Sequence, residues 1–286
     1  MFLVDAVVPA LLLLALLGGA PFLGYLLYHR RHQRTIWIAQ PVFTSGSPLA
    51  IAFTLALLLP APTAGQPRHF PLESAEGLRL HNVSAEPAVL QDRKGLRLTL
   101  AEETARRLAR MSTTERTQAD IEQLARIEGV EFSNGVIEAE VAGAPAPGAG
   151  EGARGFVGIA FRLQDDGTTY DAFYLRPTNG RADDQERRNR SVQYISHPEW
   201  PWFRLRKETP AKYEAYVDLV PGQWTPIRIE VQGNRARLYV HGQAQPTLIV
   251  NDVKSGAHGR GAVALWLGPG TVAHFRNLTV TPPQTR

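Results

Sequence analysis

The chain has 286 residues, 44% hydrophobic and 20% charged, a composition that suits one sizeable globular domain with additions. Its formal charge of +4, from 31 basic and 27 acidic residues, is too small and too dispersed to point to nucleic acid as a partner. With no cysteine, it excludes disulfide frameworks, thiolate metal sites and cysteine nucleophiles, but it does not exclude export.

Residues 7–27, VVPALLLLALLGGAPFLGYLL, are 21 residues without a charge, the length of a membrane-spanning helix. Arg30, Arg31 and Arg34 follow and should stay cytoplasmic. A second apolar run, residues 49–59, is too short to span; with PAPTAGQ after it, it reads as the core and cleavage zone of a secretory signal. Residues 1–34 are therefore expected to be a transmembrane segment with its basic flank, or else an over-extended gene start. Residues 35–65 read as an export segment, and residues 66–286 as an extracytoplasmic domain, periplasmic or secreted, tethered to the membrane if the first helix is retained.

Beyond residue 65, short runs alternate apolar and polar residues between glycine, asparagine and proline punctuation. GLRLTL places Leu96, Leu98 and Leu100 on one side. A short surface helix is expected near 102–110 and a strand near 124–127. GVIEAEVAG puts Ile137, Ala139 and Val141 on one face, with Glu138 and Glu140 on the other. AGAPAPGAGEGARG is a low-complexity loop before the strand GFVGIAFRLQ. TPIRIEVQGNRARLYVHG reads as a hairpin turning at QGN, and TLIVND, GAVALWLG and HFRNLTVTP complete the set. The pattern predicts an all-β protein, an antiparallel sandwich or barrel, preceded by the N-terminal transmembrane or signal helices.

In order, VEFSNGVIEAEVAG, GFVGIAFRLQDDGTTYDAFYLRP, SVQYISHPEWPWFRLR, KYEAYVDL, GQWTPIRIEVQGNRARLYVHG, PTLIVNDVKSG and GAVALWLGPGTVAHFRNLTVT resemble the concanavalin A-like (laminin-G-like) jelly-roll domains of bacterial exported proteins. Within that group they are most similar to the 3-keto-disaccharide hydrolase domains. The resemblance covers residues 130–282, more weakly back to Leu78. It implies a two-sheet antiparallel jelly-roll sandwich and a carbohydrate as ligand or substrate. It brings no catalytic residue with it, because this scaffold also serves lectins, adhesion modules and spacers.

Alternation in TTYDAFYLRP puts Tyr170, Ala172, Tyr174 and Arg176 on one face, and Asp171, Phe173 and Leu175 on the other. With Arg162 on the preceding strand and Gln193 on the next, the first face would make a solvent-open sugar groove of rings and hydrogen-bonding forks; the plainer alternative is a half-exposed sheet face. In His197-Pro198-Glu199-Trp200-Pro201-Trp202 two prolines stop the ladder. There His197, Trp200 and Trp202 would wall one end of the groove, or Trp202 and Phe203 would cap the core, the favoured reading being one ring buried and one presented. Glu138 and Glu140, about 6.6 Å apart on one strand face, echo the carboxylate pairs of glycosidases but suit a solvated face better. The aspartate pairs of QDDG and GRADDQE offer four carboxylates, fewer than calcium wants, so no metal or cofactor is assigned and calcium stays the one candidate. Three functions remain open: carbohydrate binding, glycoside hydrolysis or lysis, and protein adhesion.

Overall fold

A computed structural model describes residues 65–112, 115 and 121–283; the predicted membrane span and export segment lie outside these residues. The described residues belong to one compact unit, Ala61–Arg286. Among them no helix is long and apolar enough to cross a membrane.

In chain order the elements begin with β1 (Arg68–Phe70), β2 (Leu78–His81), β3 (Val83–Leu90), β4 (Arg93–Leu100), α1 (Glu102–Ala109), β5 (Leu124–Ile127) and β6 (Gly135–Pro145). The middle of the chain forms β7 (Val157–Leu163), β8 (Tyr170–Leu175), α2 (Pro177–Gly180), α3 (Gln185–Arg188), β9 (Val192–His197), α4 (Trp202–Glu208) and β10 (Glu214–Ala215). The last five strands are β11 (Thr225–Gln232), β12 (Arg235–Val240), β13 (Leu248–Val250), β14 (Ala262–Leu267) and β15 (Thr271–Thr281).

The strands make two antiparallel sheets, the architecture of a jelly-roll sandwich. One has eight strands in the order β13-β12-β11-β6-β15-β4-β3, with β1 on β15; the other has seven, β10-β9-β8-β7-β14-β5-β2. In the first sheet the alternating pattern behaves as expected. Ile137, Ala139 and Val141 are buried while Glu138 is exposed, and β11 turns into β12 over Gly233 and Asn234, the glycine in the left-handed region at φ 59°.

The second sheet departs from alternation. Every residue of β7, β8 and β14 is buried, so both of its faces are covered. The face toward the eight-stranded sheet carries Phe161, Phe173 and Tyr194, with Phe161 and Phe173 stacked at 6.1 Å. The far face carries two rows. One runs Leu124, Trp266, Gly158, Tyr174, Gln193, Glu214 across five strand pairings; the other is Ala264, Ala160, Ala172, Ile195. Gly158 is obligatory here: a Cβ would lie 2.1 Å from the Phe173 carbonyl oxygen and 2.6 Å from the Tyr174 Cα. Its absence lets the Trp266 and Tyr174 rings meet at 4.7 Å over the strand between them.

Candidate functional site

The open groove expected from alternation is not there. Tyr170, Tyr174, Arg176 and Gln193 share the far face of the seven-stranded sheet as expected, but all four are buried. The far face is covered because the chain returns over it: Glu122 and Gln123 are buried beside β14, and Phe156 meets the Tyr174 ring edge-on at 6.1 Å. Strand period assigns a side chain to a face; it carries no information about what lies on top of that face.

Beneath this cover the residues form two linked networks. In one, the Arg176 guanidinium donates to the Tyr174 hydroxyl at 2.8 Å, to Gln193 Oε1 at 3.0 Å and to Glu214 Oε1 at 3.1 Å. Arg206 donates to both Glu214 oxygens, and Arg190 Nε stands 3.7 Å away. Burial alone would raise the Glu214 carboxyl; the hydrogen bond and charge of Arg206, then those of Arg176, outweigh it and hold the group below its ordinary value. The same environment raises the Tyr174 phenol, through burial first. In the second network Tyr170 donates to Glu122, Trp266 Nε1 donates to the Tyr170 hydroxyl at 3.0 Å, and His197 Nδ1 lies 2.9 Å from Glu122 Oε1. The His197 and Tyr170 rings stack 5.2 Å apart. Glu122, Glu214, Arg206 and Trp266 belong to these networks and were not among the expected site residues. The signal that was available for Trp266 is the unbroken apolar run AVALWL, which marks a strand buried on both faces.

Arg162 is not on this face at all. It sits at a register shift between β7 and β14 with φ of 56°, and that left-handed residue re-aims the side chain into the space between the sheets. There its guanidinium donates to Ser133 O twice (2.8 and 3.0 Å), to Gly233 O, to Gly256 O and to Ser255 Oγ, each of these three at 2.8 Å. Asp171 is its charged neighbour: Oδ1 accepts from the Tyr194 hydroxyl at 2.5 Å, Oδ2 has no hydrogen-bond partner, and burial raises the carboxyl. Arg162 ties three loops together and is a structural pin.

The proline-broken stretch divides its rings, though not as either capping or walling alone would have it. Trp200 pairs back to Ser196 and packs against the core, its ring faced by the Arg204 guanidinium at 3.9 Å and the Lys254 ammonium at 4.5 Å. After Pro201 the chain turns into α4, which presents Trp202 (44% exposed) and Phe203 (59% exposed) edge to face at 5.8 Å. Arg206, one turn on, lies over the Trp202 ring at 4.7 Å while its fork holds Glu214. Of the eight residues expected to meet sugar, Trp202 is the one with a large exposed surface.

The remaining candidates are engaged elsewhere. Glu138 and Glu140 border a shallow depression of about 480 Å³ on the eight-stranded sheet. Glu140 is taken by Arg93 at 2.9 Å, Asn277 at 2.9 Å and Arg276 at 3.4 Å, and Arg228 covers the one nearby ring, Tyr239. Glu138 is left as a single exposed acid, without a free second carboxylate or a stacking wall for glycoside chemistry. Asp166 closes its own turn by accepting from Thr168 and Thr169, Asp165 pairs with Arg126, and Asp184 caps α3. Among the described residues no three carboxylate or imidazole groups gather in a metal-binding cluster.

No family model matches the chain, and no curated protein matches it. Solved structures similar to it include a carbohydrate-binding module from Bacillus subtilis (11% identity, covering 71% of this chain and 97% of that one, TM-score 0.41). Others are a galectin-like protein of unknown function from the same organism (12%, 78% and 99%, 0.48) and a Bacillus licheniformis β-glucanase (14%, 77% and 100%, 0.37). These likenesses carry over no residue and no activity.

Proposed function

We propose that the protein is an exported, membrane-tethered carbohydrate-binding jelly roll whose contact surface is the α4 edge of the seven-stranded sheet. One observation carries this reading: an exposed aromatic pair, Trp202 and Phe203, stands beside a guanidinium that Glu214 fixes in place. A sugar's apolar C–H face stacks on such a ring, and its hydroxyls take hydrogen bonds from the guanidinium donors that Glu214 leaves unused, already held in place, so little ordering entropy is lost on binding. Export and tethering rest on the apolar segment at residues 7–27 and the signal-like run at 49–59.

The test is retention of the full-length chain on a panel of immobilised polysaccharides. Trp202→Ala is expected to weaken retention about tenfold, the equivalent of ~1.4 kcal/mol, at an unchanged melting temperature. Equal retention of the wild type and Trp202→Ala overturns the assignment of the surface. A blank panel together with a co-purifying protein turns the reading to adhesion.

A second reading, glycoside hydrolysis of the 3-keto-disaccharide type, is favoured by the Glu122–His197 pair under Tyr170 and Trp266, a carboxylate and an imidazole in hydrogen-bonding reach. Sugar release lost in Glu122→Gln, with folding intact, supports it; no turnover on any oligosaccharide overturns it.

A further inference from the structure

Among the described residues every exposed aromatic ring lies at one edge of the molecule. The rings are Trp202 and Phe203 on α4 and Tyr216, 44% exposed, just past β10. β10 is the edge strand of the seven-stranded sheet, paired to β9 through Glu214 and Ala215. Past it the period of two continues: Tyr213, Ala215 and Val217 pack on the core, so Glu214 and Tyr216 share the other face. Tyr216 therefore stands about 6.6 Å beyond Glu214 along the chain.

Two elements bring a guanidinium each to this segment and to a ring. From α4, Arg206 holds Glu214 and lies 4.7 Å from the centre of the Trp202 ring. From the end of α3, Arg188 donates to the Tyr216 hydroxyl at 3.1 Å. Two residues on, Arg190 pairs with Glu186 and brings its Nε to 3.7 Å from Glu214. The Arg188 guanidinium lies 5.3 Å from the Tyr216 ring centre, whereas at Tyr239, a buried ring, Arg228 lies at 3.9 Å. The longer distance, with the bond to the hydroxyl, puts Arg188 at the polar end of Tyr216 and leaves the ring open to solvent.

A single exposed ring is ordinary, but three on one edge beside oriented donors mark an interaction surface. Charged groups separate Tyr216 from the Trp202–Phe203 pair, so the edge lacks the continuous apolar centre that a protein partner buries. Rings alternating with hydrogen-bond donors match a chain of sugar units, in which apolar C–H faces and hydroxyls recur.

We propose that Tyr216, with Arg188, is a second sugar-stacking subsite, and that the ligand is an extended polysaccharide lying along this edge from Trp202 to Tyr216. The proposal rests on the carbohydrate-binding reading above and adds to it the length of the ligand. Each ring is open at the surface and holds one sugar weakly. A chain that reaches both gains the second contact without losing translational freedom a second time. A single sugar does not.

The experiment uses the full-length chain and cello-, xylo-, manno- and maltooligosaccharides of one to six units, titrated by calorimetry, with the parent polysaccharides alongside. In the series that binds, affinity is expected to rise about tenfold or more once the oligosaccharide is long enough to reach both rings. Tyr216→Ala is expected to abolish that rise, while the melting temperature and the affinity of the shortest oligosaccharide that binds stay unchanged. Tyr216→Phe, which keeps the ring and loses the bond to Arg188, is expected to stay within about threefold of the wild type. Equal affinity for short and long oligosaccharides, or an undiminished rise in Tyr216→Ala, overturns the second subsite; if Trp202→Ala still loses binding, the carbohydrate reading stands. No binding in any series, polymers included, overturns both.

Discussion

Arg162→Met separates the structural pin from a sugar contact. The methionine fills most of the space of the arginine stem but makes none of its hydrogen bonds. Three backbone carbonyls and the Ser255 hydroxyl lose a donor together, and Asp171 loses its one neighbouring cation. An abandoned buried acceptor costs about 1–3 kcal/mol. Asp171 escapes part of its own penalty by taking a proton, since burial already raises it. Water reaching the part-buried carbonyls removes some of the rest, which leaves a net loss of roughly 4–6 kcal/mol. For a domain of this size that lowers the melting temperature by about 10–20 °C. The assay is thermal unfolding by far-UV circular dichroism at neutral pH. In a double-mutant cycle with Asp171→Asn, the coupling is expected to be about 1–3 kcal/mol, since the two groups share one buried network. A melting shift below about 3 °C, or a variant that melts like the wild type yet no longer binds glycan, refutes the pin.

Gly158→Ala is expected to lower stability by several kcal/mol, about 3 or more, through its collision with the Phe173 carbonyl, whereas Gly150→Ala, with nothing near its added carbon, changes nothing; soluble yield and melting temperature check both. Trp266→Ala removes a ring packed on Tyr174 and a bond to Tyr170, a loss of about 3–5 kcal/mol by denaturant titration. Glu214 titrates below its ordinary value of 4.5, so its contribution is complete above that pH and fades as pH falls through the lower folded value. Melting temperatures between about pH 5 and 3 should therefore fall less steeply in Glu214→Gln than in the wild type, and parallel curves would refute the assignment.

The pairing of strands was largely written in residue type and spacing. Ile137, Ala139 and Val141 alternate because one face of β6 meets the core, and Gly233-Asn234 turns β11 into β12 because glycine accepts the left-handed backbone. The surface helix near 102–110 and the strand at 124–127 were legible for the same local reasons. The same logic placed Tyr170, Tyr174, Arg176 and Gln193 on one face. It failed for Arg162 because a single left-handed residue at a register shift reverses the period of two. The Arg176–Glu214–Arg206 network was out of reach because its members come from three elements, and no local rule brings Glu214 of β10 beside Arg206 of α4.

What the sequence determined alone is therefore an all-β antiparallel sandwich or barrel, the facing of most side chains and the presence of rings and cations near β8 and β9. Those properties follow from hydrophobic period and turn chemistry, which act between near neighbours. What only the tertiary structure decided is exposure. Whether Tyr174 meets solvent or Phe156, and whether Trp200 or Trp202 is the ring presented, depends on how segments distant in the chain pack over a finished sheet. That packing is set by the burial of surface the local pattern cannot register.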